Sequence, residues 1–232
     1  MTGRVLEVIA VSVSDAIQAR KGGANRLEVV RDLELGGLTP SVELVRAIKS
    51  EVDLPLRVML RESVGYQTNS EAEIEHLCAA AEQFARLGVD GLVIGFLKAQ
   101  EIDLDLTRRV LARAPDLKAT FHHAFEDAGD KWKAVRDIKQ LSQVDRILSS
   151  GGPGESQQRS ERLAAYAEAA APELTIIAGG GIDSDAISLL NRTTTIREFH
   201  VGRAARTGFR VDGEVESDLV GELVLRTVTS VQ

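Results

Sequence analysis

The sequence predicts an α/β protein, a (β/α)8 TIM barrel folded as a single domain over residues 1–232. Three observations lead there. Eight short β-branched runs alternate with longer segments of helical period, no long linker divides the chain, and 232 residues suit the compact end of that fold. The runs fall at residues 5–10, 26–30, 56–61, 91–95, 117–122, 146–149, 174–178 and 198–201. A doubly wound open sheet is the alternative, but no Gly-x-Gly-x-x-Gly follows the first run.

The connecting segments carry helix ends in chain order. Gly22-Gly23 closes the segment after the first strand. Thr39-Pro40 opens the next, with proline at the first helical position. Ser70-Glu71-Ala72-Glu73 reads as a capping box in which Ser70 caps and Glu73 reaches back. Ile74, Leu77, Cys78, Ala81 and Phe84 then recur at spacings of three and four, and Gly88 ends the helix. Asp183 or Ser184 caps the helix after the seventh strand. Residues 212–218 are acidic and read as a loop before a last helix over 218–228.

Composition narrows the function classes. With 28 Lys and Arg against 35 Asp and Glu, the net charge is -7. Such a surface repels phosphate backbones and anionic lipids at long range, so neither nucleic acid nor a membrane is an expected partner. No apolar run approaches the roughly 18 residues of a membrane span. Met1-Thr2-Gly3-Arg4 lacks the basic start of a secretory leader, so a cytoplasmic location is expected. Cys78 is the single cysteine, which suits a reducing compartment and excludes an intrachain site of several thiolates.

Strand parity places chemistry inside the barrel. The strand face that meets the helices must be apolar, and the other face points inward. Leu6 and Val8 therefore send Glu7 in, and Leu27 and Val29 send Glu28 in. Leu56, Val58 and Leu60 leave Arg57, Met59 and Arg61 inside; Leu117, Ala119 and Phe121 leave Lys118, Thr120 and His122. Phe199 and Val201 send His200 in. A barrel interior is ordinarily layered with Val, Ile and Leu, so this set must pair or be hydrated. Glu7, Glu28 and Arg61 stand on consecutive strands and are expected to form one cluster, with Arg61 and His122 at the C-terminal ends where barrel sites lie. The bland reading is a salt-bridge network that fixes register.

Other residues carry less. His76 belongs to a solvated helix face, Cys78 fills the core, and Trp132 anchors a helix to the barrel. His123 follows His122 on the opposite parity and is expected to lean into the loop or the helix layer. Glycine runs follow the last three strands: residues 149–154, 178–183 and 201–203. Barrels commonly bind phosphate at the loops after strands 7 and 8, so Gly180, Gly181 and Arg203 are candidate phosphate ligands. Tight turns before capped helices are the structural alternative.

Taken together, these residues resemble the CutC family, linked by name to copper homeostasis. The segments that carry the resemblance include Gly23-Ala24-Asn25-Arg26-Leu27-Glu28, Gly36-Gly37-Leu38-Thr39-Pro40-Ser41, Thr120-Phe121-His122-His123-Ala124-Phe125 and Ala178-Gly179-Gly180-Gly181, in order and spacing from about residue 5 to 202. The resemblance implies a barrel with shared polar residues at Glu7, Glu28, Arg61, His122 and His200, a cytoplasmic homo-oligomer and a role in copper handling. It also has departures. Family members often carry cysteines just after the two strand glutamates, where this chain has Ile9, Ala10 and Val30. Glu62-Ser63 follows Arg61 where Pro-Arg is usual, and Gly202-Arg203 stands where small hydroxyl residues are common. Copper(I) prefers thiolate or thioether, and the sulfur here is Cys78, Met1 and Met59.

Three functions follow as expectations. One is copper homeostasis, with a copper ion as partner. Another is an enzyme doing acid–base chemistry on a small anionic or phosphorylated metabolite. There Arg61 binds the anion, His122 and Glu28 exchange protons and Glu7 orients them, while His200, Gly180, Gly181 and Arg203 hold substrate or phosphate. The third is a non-catalytic oligomeric scaffold.

Overall fold

A computed structural model describes residues 3–68 and 70–228. Eight parallel strands close a barrel: β1 Val5–Ala10, β2 Arg26–Val29, β3 Leu56–Met59, β4 Gly91–Ile94, β5 Lys118–Phe121, β6 Val144–Ser149, β7 Thr175–Ala178 and β8 Glu198–Val201. The hydrogen-bonded order runs β1, β8, β7, β6, β5, β4, β3, β2 and back to β1. Helices α1 Val13–Lys21, α2 Val42–Glu51, α3 Glu71–Leu87, α4 Leu104–Leu111, α5 Ala124–Asp127, α6 Lys131–Ile138, α7 Ser156–Ala170, α8 Ser184–Thr193 and α9 Ser217–Val228 connect and close it. A two-stranded hairpin, Leu97–Lys98 with Glu101–Ile102, lies between β4 and α4. No helix among the described residues is long and apolar enough to cross a membrane.

The eight expected strands are all present, and several are shorter than expected. β3 stops at Met59 and β5 at Phe121, so Arg61 and His122 lie just beyond their strands, at the mouth. Ser41, not Pro40, governs the start of α2: its Oγ accepts the Leu44 N–H at 3.1 Å, and proline precedes the cap. Ser70 caps α3 and Asp183 caps α8. Gly88 closes α3 with φ at +69°, a backbone that suits glycine.

The two faces of the strands separate as the alternation predicts. Leu6, Val8, Leu27, Val29, Leu56 and Val58 join the large cluster packed beneath the helices. Ile9, Val30, Met59 and Val93 form a separate apolar cluster inside the barrel. Two expectations are corrected. Lys118 is exposed at the N-terminal rim, its Nζ donating to the Ser142 carbonyl at 3.3 Å, because the first residue of a strand can extend a long side chain past the barrel's end. Trp132 is 48% exposed and rests edge-on against Tyr166, 5.5 Å between ring centres, so its ring contact is with helix α7. Cys78 is buried in the core on α3, and Met1 lies outside the described residues.

Below the mouth, a chain of ion pairs fills the space that branched aliphatics ordinarily occupy. Arg57 holds Asp145 through two hydrogen bonds of 3.0 and 3.1 Å, and Asp145 also accepts from Arg146. Arg146 Nε donates to Glu198 at 2.8 Å; Arg26 joins Glu198, at 2.7 Å, to Glu7, at 2.5 Å. Three guanidiniums face three carboxylates, so the set is neutral and each buried charge has a partner.

Candidate active site at the barrel mouth

The stagger of the closing sheet decides who meets whom. Glu7 is in register with His200 on one side and Arg26 on the other, whereas Glu28 stands beside Ile9, one step nearer the mouth. The cluster expected from three consecutive strands is therefore rearranged. Among the described residues no hydrogen bond or ion pair links Arg61 to either glutamate. His200 is the link instead: its Nδ1 donates to Glu7 Oε1 at 2.7 Å, and its Nε2 lies 3.7 Å from Glu28 Oε2.

Electrostatics follow from that geometry. Burial by itself would raise Glu7, but Arg26 and His200 hold it far below the usual carboxylate range. Burial pushes Glu28 up, and the neighbouring Glu7 charge adds to that. Burial opposes charge on His200, yet Glu28 and the bond to Glu7 keep it above the ordinary histidine value. Glu28 and His200, both shifted upward, thus titrate as a pair above Glu7, whose ionised form Arg26 and His200 favour.

These groups open into a pocket of about 400 Å³ at the C-terminal ends of the strands. Glu28, Arg61, His122, His200, Gly180, Gly181 and Arg203 line it, and Glu7 lies underneath. His122 reaches it because Gly95 leaves room: a methyl group there would sit 2.4 Å from His122 Nδ1. That nitrogen accepts the Ala124 N–H at 3.1 Å, which assigns the ring proton to Nε2. Burial, helped by the charge of Arg61, lowers His122 to about 3. At neutral pH it is an uncharged hydrogen-bond donor, and its buried Nε2 has no partner among the described residues. Among the described residues, Glu28 Oε1 of the pocket lining is likewise buried without a partner.

Arg61 is arranged differently from the anion binder expected. Nε donates to the Ser63 carbonyl at 3.0 Å, Nη1 to Gly36 at 3.2 Å and Nη2 to Val64. Its guanidinium carbon sits 4.9 Å above the Tyr66 ring, which itself lies 5.2 Å from the His122 ring. Arg61 therefore ties together the loops that follow β2 and β3.

His123 corrects the parity argument. The strand has ended, and backbone angles of -57° and -9° turn the chain into α5, so both histidines face the pocket. His123 Nδ1 donates to Glu126 Oε2 at 3.1 Å. The other oxygen of Glu126 accepts from the Ser149 and Ser150 hydroxyls at 3.0 and 2.8 Å, and from the Ser150 and Gly152 N–H groups at 2.7 and 3.1 Å. Although burial opposes it, His123 and Ser150 lower Glu126 to about 2. The glycine run after β6 thus cradles an internal carboxylate.

The run after β7 remains open to a ligand. Gly180 and Gly181 have φ of +71° and +82°. A methyl group on Gly181 would stand 3.9 Å from Arg203 Nη2 and 4.0 Å from Arg159 Nη1, so two guanidiniums flank this turn. Arg203 is exposed and makes no ion pair among the described residues. Sequence reading missed Arg159 because it stands at the start of the helix before β7, 21 positions from Gly180, and no local pattern brings the two together.

Metal chemistry has a poorer fit. Glu7, Glu28 and His200 bring ligand atoms within 4.8 Å of one another. Both Glu7 oxygens are already engaged, one by His200 and one by Arg26. Met59 contributes the pocket's sulfur, while Cys78 is on α3 with Sγ 4.0 Å from the Arg109 carbonyl.

Comparison with known proteins places this chain among relatives. The CutC family model matches residues 4–205. A family protein CutC from Xylella fastidiosa is 36% identical over 196 residues, covering 84% of this chain and 73% of that protein. The human copper homeostasis protein cutC homolog is 32% identical over 199 residues, 85% of this chain and 72% of its own. The crystal structure of a putative copper homeostasis protein CutC from Streptococcus agalactiae superposes with a TM-score of 0.78 at 23% identity, covering 85% of this chain and 97% of that one.

Proposed function

The chain belongs to the CutC family, and we propose that it serves copper homeostasis through acid–base chemistry on a small anionic metabolite at the barrel mouth. The observation that carries this reading is a pair of buried atoms without a partner among the described residues, Glu28 Oε1 and His122 Nε2. Leaving such atoms unsatisfied costs about 1–3 kcal/mol each, so the site is built for a ligand that meets both. A raised carboxyl exchanges a proton with that ligand, and a neutral imidazole N–H holds one of its oxygens. Gly180, Gly181 and Arg203 supply the handle for its anionic group, and Arg159, whose Nε and Nη2 donate to the Ser150 and Gly180 carbonyls, adds positive charge beside it.

Copper itself fits these residues poorly. Copper(I) favours soft sulfur ligands, and the cysteine of this chain, Cys78, is buried in the helix layer. In this reading copper homeostasis is served through a metabolite and not by storing the ion. A homo-oligomer belongs to the same reading, and sedimentation velocity measures it.

A copper(I) competition titration against a calibrated chelator, under reducing conditions, tests the central claim. Wild-type protein is expected not to compete, while inorganic phosphate raises its melting temperature and Arg203→Ala removes that effect. Stoichiometric copper(I) capture, lost in a His122→Ala, His200→Ala double variant, overturns the proposal.

A further inference from the structure

We infer that His123, backed by Glu126, is a second acid–base residue of the mouth pocket, and that the substrate class is a phosphorylated α-hydroxycarbonyl compound whose protons the site relocates. The inference rests on the acid–base reading above and names its chemistry.

The pocket holds two imidazoles of one design. His200 Nδ1 donates to the buried Glu7, and His123 Nδ1 donates to Glu126, so both rings are fixed; His200 Nε2 faces Glu28, and His123 Nε2 is left for the ligand. Glu126 is itself immobilised by four hydrogen bonds from residues 149–152. Consecutive glycines make the space. A methyl group at Gly179 would lie 3.2 Å from His200 Cδ2, and one at Gly180 would lie 3.2 Å from His123 Cε1 and 2.7 Å from Ser150 Cβ. Both rings thus abut the turn that carries the anion handle.

Two proton-exchanging groups and one pure donor match the needs of an enediol reaction. The Glu28–His200 unit takes the proton from the carbon bearing the hydroxyl. The C–H electron pair forms the C=C bond, and the carbonyl π pair moves onto oxygen, which accepts from His122 Nε2–H. His122 cannot itself give and take protons, since its Nδ1 is committed to Ala124. His123 fills that part: its free Nε2 accepts the proton of the neighbouring hydroxyl and delivers it to the former carbonyl oxygen, ending as it began. Return of the carbon proton to the adjacent carbon completes an isomerisation. No oxidant, reductant or second substrate is consumed.

The test uses full-length protein, 2-phosphoglycolate as a stable mimic of the enediolate, and dihydroxyacetone phosphate in D₂O. Calorimetry reads binding of the mimic, and proton NMR reads deuterium entering the carbon next to the carbonyl. Wild type is expected to bind the mimic and catalyse exchange. His123→Gln should bind it within about 3-fold and lose exchange by about 100-fold or more, the usual worth of a positioned acid–base group. Glu126→Gln, which also serves should His123→Gln not fold, is expected to shift the pH profile of exchange. His76→Gln on exposed α3 leaves both readouts unchanged. Binding without exchange in wild type, or undiminished exchange in His123→Gln, overturns this inference and spares the anionic-metabolite reading. Failure of wild type to bind either compound overturns both.

Discussion

His200 is gripped from below by Glu7, 2.7 Å from Nδ1, and faces Glu28 at 3.7 Å from Nε2. The grip links the ion-pair stack beneath to the proton chemistry above. Without Glu7 the imidazole would lose both its orientation and a counter-charge. Glu7→Gln is therefore expected to lower the titration midpoint of His200, read by NMR of the ring Cε1–H. An unchanged midpoint would show that Glu7 does not tune this ring.

The stack itself is expected to matter for folding. Arg26 bridges Glu7 and Glu198, and its side chain is almost wholly buried. Arg26→Ala leaves two buried carboxylates facing each other with one partner removed. Loss of about 3–5 kcal/mol in urea unfolding is the expected result. A change below 1 kcal/mol would mean that water or relaxation replaces the guanidinium.

His122 gives stability a pH dependence of defined sign. Its folded value, about 3, lies below the ordinary 6.5, so between those limits the unfolded chain binds more protons. Its contribution is fully present above pH 6.5 and is lost as pH falls towards 3. Glu126, lowered from 4.5 to about 2, adds a second loss between pH 4.5 and 2. Urea midpoints measured from pH 7 to 3.5 should fall steadily, and His122→Gln should flatten the upper part of that fall.

Much of this was legible from alternation alone, because apolar residues at Leu6, Val8, Leu27 and Val29 leave Glu7 and Glu28 no other direction. The same parity assigns Arg26 and Glu198 to the interior, a signal present in the sequence and not used. Partnership was less legible. It depends on the stagger between strands, which sets Glu7 against Arg26 and His200 and carries Glu28 up to Ile9. His123 was misread because period-two reasoning fails once a strand ends, and the strand ends at Phe121. The cradle around Glu126 joins residues more than twenty positions apart through hydrogen bonds that no local pattern encodes.

Gly95 offers a compact test of the donor role of His122. A methyl group at that position would meet His122 Nδ1 at 2.4 Å and Ala124 Cβ at 2.9 Å. Gly95→Ala must displace the ring and break the bond from the Ala124 N–H. The expected cost is about 1–3 kcal/mol of stability, with weaker binding of 2-phosphoglycolate. Retained affinity would show that the ligand does not need the Nε2–H.

Two arginines of the mouth should separate cleanly in their effects. Arg203 is exposed, without an ion pair among the described residues, and stands beside the Gly181 turn. Arg61 spends its donors on the carbonyls of Gly36, Ser63 and Val64, which belong to two different loops. Arg203→Ala is therefore expected to weaken phosphate binding about 10-fold or more and to leave the unfolding midpoint in place. The residual affinity should also depend less on salt, since one long-range charge has gone. Arg61→Ala should do the reverse, lowering the midpoint and disordering the loops before it touches the anion directly. If Arg61→Ala abolishes phosphate binding in a protein of normal stability, its side chain must swing from the loop carbonyls to the ligand, and the anion site moves from the β7 turn to the β3 end of the pocket.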